Sequence, residues 1–579
     1  MKNNARYFLI ISSFLFWIAF TTISMPTIII FSLFGLGIGF LIAKAMPLTQ
    51  LTWPKGFRKP LLILLSAALA VVTCVCSARF FHNNWQNSAV LKSIVARFIP
   101  DFEIVLVGIS VVLGFGMLPS VFDVCCRGLY HIYEFFLSIE WSFLWKHTKS
   151  NLSLKSSLKG AATAIIGLLL SASIGIGLLT AVFYIPVDSI DKHVAQSAQT
   201  IYNEGTYPYL STWFHSQLDN WTDSIILMEA AKGRDTNALE AAANASHGLV
   251  ADAATPAEVL TAHYIDGKPY ASFSEYCRYW HGYLILIKPL LCFMDYSAIR
   301  ALNGVIQLLL IGVLCLLLKK RGLKEYIIPF LLIYLMLMPV ALACSMQFSN
   351  CFYVIMIGII GMLLIKEEKL DRYVAPLFLA IGIGTAYFDF FTYPIATFGL
   401  PALMLLVLQR SKSLEEKLFQ IVKCGIFWCI GFGGMWASKW IISRVVLGYS
   451  FSRILTAISR WSTITNNVPP ARLFRVEAAN YTTFLQTPVA LLALLFIGVK
   501  YLKLRKDASV TRKQTYRTVL PYLLVGLAPI VWYAFATTHS SVHYWFTSKA
   551  CAVTLLGILF AIVNIYTLQI KEPTESADT

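Results

Sequence analysis

Apolar runs recur along the chain, separated by short polar intervals. Many hold roughly 18 or more residues, enough for a helix to cross a ~30 Å hydrocarbon core. The pattern places spans near 7–24, 27–46, 60–78, 103–125, 159–185, 302–318, 327–344, 351–365, 373–390, 395–409, 420–442, 488–500, 518–536 and 550–569. The two shortest, near 351 and 488, are expected to extend further or tilt. The expected fold class is all-α: a polytopic transmembrane helical protein of about 14 spans. Residues 1–157 read as a four-span accessory module, 158–570 as the core and 571–579 as a tail.

Basic residues orient these spans. They concentrate in Lys55/Arg58/Lys59, Lys146/Lys149/Lys155/Lys159, Lys319/Lys320/Arg321/Lys324, Lys366/Lys369/Arg372, Arg410/Lys412/Lys417 and Lys503/Arg505/Lys506/Arg512/Lys513/Arg517. With an even number of spans, all six tracts fall on the side of the N-terminus. The positive-inside rule makes that side, and with it both termini, cytoplasmic. The other face receives a loop at 79–102, a long region at 186–301, a second long loop at 443–487 and three short connections.

Composition supports this picture. The chain is 57% hydrophobic and 13% charged, against roughly 25% charged in a soluble domain. A net charge of +17 would suit nucleic acid, but it sits in loops as topology demands, so no nucleic-acid partner is expected. The cysteines show no metal-ligand spacing; Cys344 and Cys351 flank a short hairpin and suit a disulfide in an oxidising compartment. The first apolar run lacks a clear small-residue cleavage site and reads as a retained span.

Unusual polar residues gather on the outer face. Asp188 and Asp191 follow directly on a span, and Val194, Ala198 and Ile201 suggest a helix along the interface. In LDNWTDS, Asp219 and Asp223 lie four apart and share one helical face. Such a pair can hold a divalent cation, or one member can act as a general base. Equally, Asp219 or Asn220 can simply cap a helix starting near Trp221. The Ala-rich stretch from Gly233 to Lys268 reads as a solvated excursion with a short helix. Two glycosylation sequons, at Asn220 and Asn244, are weak signals.

Further on, Arg278, Tyr279, Trp280 and His281 precede an apolar run. They suit either an interfacial belt or a sugar face with a phosphate contact. Asp389 stands at a span end among Tyr387, Phe388, Phe390, Phe391 and Tyr393. An acid there is costly and points to function, or else to a carboxylate tying two helix ends together. Arg453, Arg460, Arg472 and Arg475 run against the charge rule in loop 443–487 and want an anion, in a phosphate or a lipid head group. His539 and His543, four apart, are too few for a metal site and fit hydrogen bonding to phosphate or sugar, with Lys549 adding charge.

The order of these blocks resembles the GT-C superfamily of integral membrane glycosyltransferases. A span is followed by a long acidic outer loop with VDSID and LDNWTD, then by short-looped spans and a late basic loop. LDNWTDS, RYWHGYL, YFDFFTYP and HSSVHYWFT resemble blocks of bacterial membrane proteins of that type, over about residues 158–570. The resemblance implies a plasma-membrane enzyme of cell-envelope synthesis with an extracytoplasmic site. It would move a sugar from a polyprenyl-phosphate or -pyrophosphate donor to a glycan, polymer or lipid acceptor. By the same resemblance Asp219 and Asp223, or the competing Asp188 and Asp191, supply the base or a metal ligand, with metal dependence left open. A transporter or flippase of a polyprenyl-linked or anionic substrate is the alternative, and a non-catalytic scaffold the third reading.

Overall fold

The structure, a computed structural model, describes residues 154–233, 237–389, 391–461, 470–502 and 512–571. The first four expected spans and the 572–579 tail lie outside these residues. Helices are numbered here in chain order. The first, α1 (Leu154–Val182), is followed by α2 (Val187–Glu204), α3 (Asn220–Ala231), α4 (Ala238–Asn244), α5 (Pro256–Tyr264) and α6 (Leu284–Leu291). A two-stranded antiparallel ribbon pairs β1 (His247–Leu249) with β2 (Ser272–Ser274). Then come α7 (Tyr296–Lys320), α8 (Ile327–Met336), α9 (Pro339–Cys344), α10 (Met346–Leu364), α11 (Glu367–Phe388), α12 (Ile395–Leu408) and α13 (Leu414–Leu447). The chain closes with α14 (Phe451–Trp461), α15 (Pro470–Leu485), α16 (Pro488–Leu502), α17 (Arg512–Gly526), α18 (Ala528–Phe535), α19 (Thr537–Val542), α20 (Tyr544–Thr547) and α21 (Ala552–Lys571).

Among the described residues, six helical stretches are long and apolar enough to cross a membrane. These are Gly160–Val182, Tyr296–Lys320, Met346–Leu364, Leu414–Leu447, Gln514–Phe535 and Tyr544–Thr567. A seventh arises if α15 and α16, bent by 88° at their break, count as one. Every span expected after residue 158 coincides with helix, but not every one is a simple span. The 327–344 segment splits into α8 and α9 at Met338, whose φ is 60°. With only 14 residues, α12 is about 21 Å long. It is apolar on all sides because protein surrounds it: Phe398, Leu403, Met404 and Leu406 all sit in the core.

The helices pack closely where small residues allow it. A Cβ on Gly382 of α11 would lie 2.3 Å from the Trp428 carbonyl of α13, and one on Gly431 equally close to the Leu379 carbonyl. Two backbones in contact there leave no room for side chains.

Capping defines the two ends of the bundle. At the start of α10, Asp223 accepts hydrogen bonds from the Met346 and Gln347 amides at 3.0 and 3.2 Å. At its end, the Arg321 guanidinium donates to the carbonyls of Leu363, at 2.8 Å, and Ile365. Anion at the N-terminus and cation at the C-terminus is the arrangement the helix dipole favours. The Arg321 end also holds Lys412–Asp371 at 2.5 Å, Arg517–Glu415 at 2.7 Å and Arg410–Glu325 at 3.7 Å. Three of the expected basic tracts therefore meet at one end of the bundle. The Asp223 end gathers the aromatic and acidic blocks.

The region between the first two described spans differs from expectation in two ways. Ile190, Val194, Ala198 and Ile201 do form one face of α2, but α3, α5, α6 and α7 cover it rather than lipid. The Ala-rich stretch is not a solvated excursion. Ala238, Ala242 and Ala243 bury the face of α4 against α1 and α13. The buried Lys439 of α13 donates to the Ala243 carbonyl at 2.6 Å, closing the C-terminus of α4. In the same way Lys288 donates to Ala230 at 2.6 Å and Lys232 at 3.1 Å, closing α3.

Candidate functional site

The two aspartates of LDNWTDS have different jobs. Asp219 is the N-cap of α3: its carboxylate accepts from the Thr222 amide and from the Thr222 hydroxyl, both at 3.1 Å. The expected cap is therefore present, but the carboxylate is only 4% exposed rather than solvated. Burial, with a smaller push from Asp223, raises its pKa from 3.8 to about 7. Asp223 is fully buried. Besides the α10 amides it accepts from the Tyr296 hydroxyl. Arg300 donates to the same hydroxyl at 2.9 Å, to Asn220 at 3.1 Å and to both oxygens of Glu204 at 2.5 and 2.9 Å. Burial pushes Asp223 up to about 6, against the pull of Tyr296 and Arg300.

These bonds correct the cation-clamp reading. Both Asp223 oxygens already face N–H or O–H donors. Among the described residues no group of three or more His, Cys, Asp or Glu side chains could hold a metal ion. The Asn220 sequon is likewise structural, since its amide is buried and donates to Glu204 at 3.0 Å and to the Gly205 carbonyl at 2.8 Å. The competing acids lie elsewhere: Asp188 is exposed in the first turn of α2, and Asp191, also exposed, accepts from Tyr264 at 2.6 Å.

RYWHG is a joint between the inter-span region and the bundle. Trp280 is fully buried and donates to the Met435 carbonyl at 2.6 Å. His281 is buried with Nδ1 2.6 Å from the Tyr283 hydroxyl and 3.1 Å from Glu229, and Nε2 2.7 Å from the Tyr276 carbonyl. Its φ of 58° is strained for a side chain of this size. Gly282 follows because nothing larger fits: a Cβ there would lie 2.3 Å from the Tyr387 ring. Trp280 and His281 are thus packed inside and present no face to a sugar. Arg278 and Tyr279 are half-buried, with the guanidinium 4.6 Å from the Tyr276 ring and Tyr279 5.8 Å from Trp436.

Asp389 is also a cap. It accepts from the Thr392 amide at 2.9 Å and from the Thr392 hydroxyl, and so ties the end of α11 to the start of α12. Cys351 contacts Thr392 at 3.4 Å, and Cys344 and Cys351 are free thiols, not the expected disulfide. Phe391 beside it has a φ of 70°. This strain turns its ring against Trp436, Trp532 and His539, at 5.4, 5.0 and 4.9 Å.

From Phe391 an aromatic wall runs without a break to Asp219. His539 lies tilted against His543 at 4.8 Å, and His543 meets Trp545 edge to face at 5.2 Å. Trp545 meets Phe214 at 6.3 Å and Tyr207 at 5.6 Å, and Tyr207 lies parallel to Trp221 at 6.3 Å. Tyr544 stacks on Phe214 at 4.5 Å. Burial raises the Tyr207 phenol pKa, and the nearby Asp219 charge adds to the rise, which puts Asp219 close to this wall. Burial lowers the His543 pKa to about 4, so the ring is neutral at pH 7.

No family model, curated protein or solved structure matches the chain.

The expected arginine cluster is dispersed. Arg453 makes an exposed pair with Glu275 at 3.6 Å. Arg472 reaches Ser541 at 3.4 Å, next to the histidine segment, and Arg475 is exposed one turn on. Arg460 falls in α14, but its side chain lies outside the described residues. Sequence reasoning missed Glu204, Glu229, Tyr296 and Arg300. The signal was there: Glu229 ends an apolar stretch, and Arg300 opens a span. Charges in such places are retained only with partners. It also missed Tyr207, Phe214 and His215, because a loop offers no periodicity to show which residues face one another.

Proposed function

We propose that the chain is a multi-pass membrane glycosyltransferase. It takes a sugar from a polyprenyl-phosphate or -pyrophosphate donor and passes it to an extracytoplasmic glycan, polymer or lipid acceptor in cell-envelope synthesis. The observation that carries this reading is Asp219: an almost buried carboxyl, with its pKa near 7, at the edge of a wall of aromatic rings beside the bundle. A base poised near neutrality beside stacking surfaces is what transfer to a hydroxyl requires. In the step proposed, Asp219 takes the acceptor hydroxyl proton and the freed oxygen attacks the anomeric carbon. The bond from that carbon to the phosphate oxygen breaks, and polyprenyl phosphate leaves with the electron pair. Tyr207 and Trp221 offer ring faces to the sugar. The resemblance to GT-C enzymes supports the same assignment.

The test uses purified full-length protein in sealed vesicles with a labelled polyprenyl-phosphate sugar. Release of polyprenyl phosphate, dependent on an added acceptor, is expected. Labelled sugar-lipid that crosses the bilayer with its glycosidic bond intact would instead make the chain a carrier.

A further inference from the structure

Lys549 is fully buried, yet no carboxylate faces it among the described residues. Its ammonium has three N–H groups and donates one bond, to the His215 carbonyl at 3.3 Å. It also lies over the Phe348 ring, 5.1 Å from its centre. Burying a lone ammonium is expensive unless something neutralises it. Of the other buried lysines, Lys288 and Lys439 each reach two carbonyls at a helix C-terminus, and Lys417 makes a shorter bond, to the Arg410 carbonyl at 2.9 Å.

The surroundings are short of partners as well. His215 is fully buried, and neither ring nitrogen has a hydrogen-bond partner. Burial and the nearby Lys549 charge keep the ring neutral, which leaves one N–H to donate. The indole N–H of Trp545, one helical turn before Lys549, is buried and unpartnered too. Gln217 and Gln347 add unpartnered buried carbonyl oxygens to the rim, two residues after His215 and one before Phe348. Native proteins rarely leave so many polar atoms unsatisfied together without a ligand or water to meet them.

From this juxtaposition we infer that Lys549, His215 and Trp545 form a phosphate-binding site between the 214–217 loop and the start of the last span, with Lys549 as its charge. The ammonium, imidazole N–H and indole N–H are three donors around one oxyanion. Gln217 and Gln347 are acceptors for hydroxyls carried by the same ligand. The site displaces the arginine loop as phosphate holder: Arg453 is exposed and spent on Glu275, and Arg475 is exposed. The inference rests on the aromatic wall being a ligand site, not on glycosyl transfer, and its test reads binding alone.

Detergent-solubilised full-length protein is titrated with a short-chain prenyl phosphate, the matching prenyl alcohol and inorganic phosphate. Tight binding of the prenyl phosphate over the alcohol identifies a lipid-borne phosphate. Equal binding of inorganic phosphate identifies a free one. Lys549→Met is expected to weaken phosphate binding by about tenfold or more, the loss of a charge-assisted bond, while the ligand-free protein melts no lower than wild type. Trp545→Phe keeps an aromatic ring on the wall but removes the indole N–H, and is expected to weaken binding several-fold. The inference is overturned if both variants bind prenyl phosphate like wild type. It is equally overturned if Arg472→Gln or Arg475→Gln abolishes binding while Lys549→Met does not.

Discussion

Two neighbouring regions at the same end of the bundle treat polar atoms in opposite ways. In the joint formed by Glu204, Asn220, Asp223, Tyr296 and Arg300, charge is buried but nearly every polar atom is bonded. In the wall beside it, the His215, Gln217 and Trp545 side chains, with that of Gln347 at the border with the joint, bury polar atoms that have no hydrogen-bond partner. A carboxylate saturated by protein donors is holding the fold together and has little left for a substrate. A buried donor without an acceptor has its capacity free. Sequence alone ranks Asp223 with Asp219 as chemistry, whereas their partners separate them: Asp223 is held by donors of other helices and joins α3 to α10, while Asp219 is bonded only to Thr222 in its own first turn and sits where joint and wall meet.

The largest expected effect breaks the joint. Asp223→Ala strands the Met346 and Gln347 amides, leaves the Tyr296 hydroxyl, as a donor, only its longer bond to the Cys344 carbonyl and removes a charge near Arg300. It is expected to lower stability by about 3–5 kcal/mol, read as a large fall in melting temperature in detergent. Next comes Gly282→Ala, whose Cβ would collide with the Tyr387 ring and carbonyl at 2.3 and 2.5 Å. Its expected cost is about 1–3 kcal/mol. Wall substitutions should do the reverse. Gln347→Leu removes an unpartnered polar group, so stability should change by about 1 kcal/mol or less, while ligand binding falls. If Gln347→Leu destabilises as much as Asp223→Ala, the contrast between the regions fails.

The regions also differ in pH response. Asp219 and Asp223 have pKa values raised from 3.8 to about 7 and about 6. Between those limits the folded chain holds protons that the unfolded chain has lost. Their contribution to stability is therefore full below about pH 4 and is lost as pH rises through 6 and 7. His215 and His543 run the other way, lowered from 6.5 to about 3 and about 4. Their contribution is present above about pH 6.5 and is lost as pH falls through those values. Asp219→Asn should flatten the loss between about pH 4 and 7, as thermal melts across that range would show. The smallest effect is expected at Arg453→Ala, an exposed pair whose loss should change stability by about 0.5 kcal/mol or less.

Much of the helical frame was legible in the sequence because bilayer-length apolar runs allow few alternatives. Three of the six basic tracts were legible as a group: Arg321, Lys412 and Arg517 meet at one end of the bundle. Less was legible where helix ends are closed by distant side chains. Nothing local to LDNWTDS shows that Asp223 caps a helix starting more than a hundred residues later. Likewise, the spacing in RYWHG reads as an aromatic surface, but Trp280 and His281 point into the bundle because Gly282 lets the chain press against Tyr387. The wall was half visible: HSSVHYWF stood out, while its partners Tyr207 and Phe214 come from a loop whose facing is set only by tertiary packing.

Asp219→Asn is the most direct measurement. Asparagine caps a helix as well as aspartate does, so the variant should fold and melt close to wild type. It cannot take a proton, so release of polyprenyl phosphate from a polyprenyl-phosphate sugar should fall by roughly 10²-fold or more. Wild-type release should rise with pH through about 7, where Asp219 ionises. A folded Asp219→Asn protein that releases polyprenyl phosphate at the wild-type rate would contradict the role of Asp219 as base and leave it a cap alone.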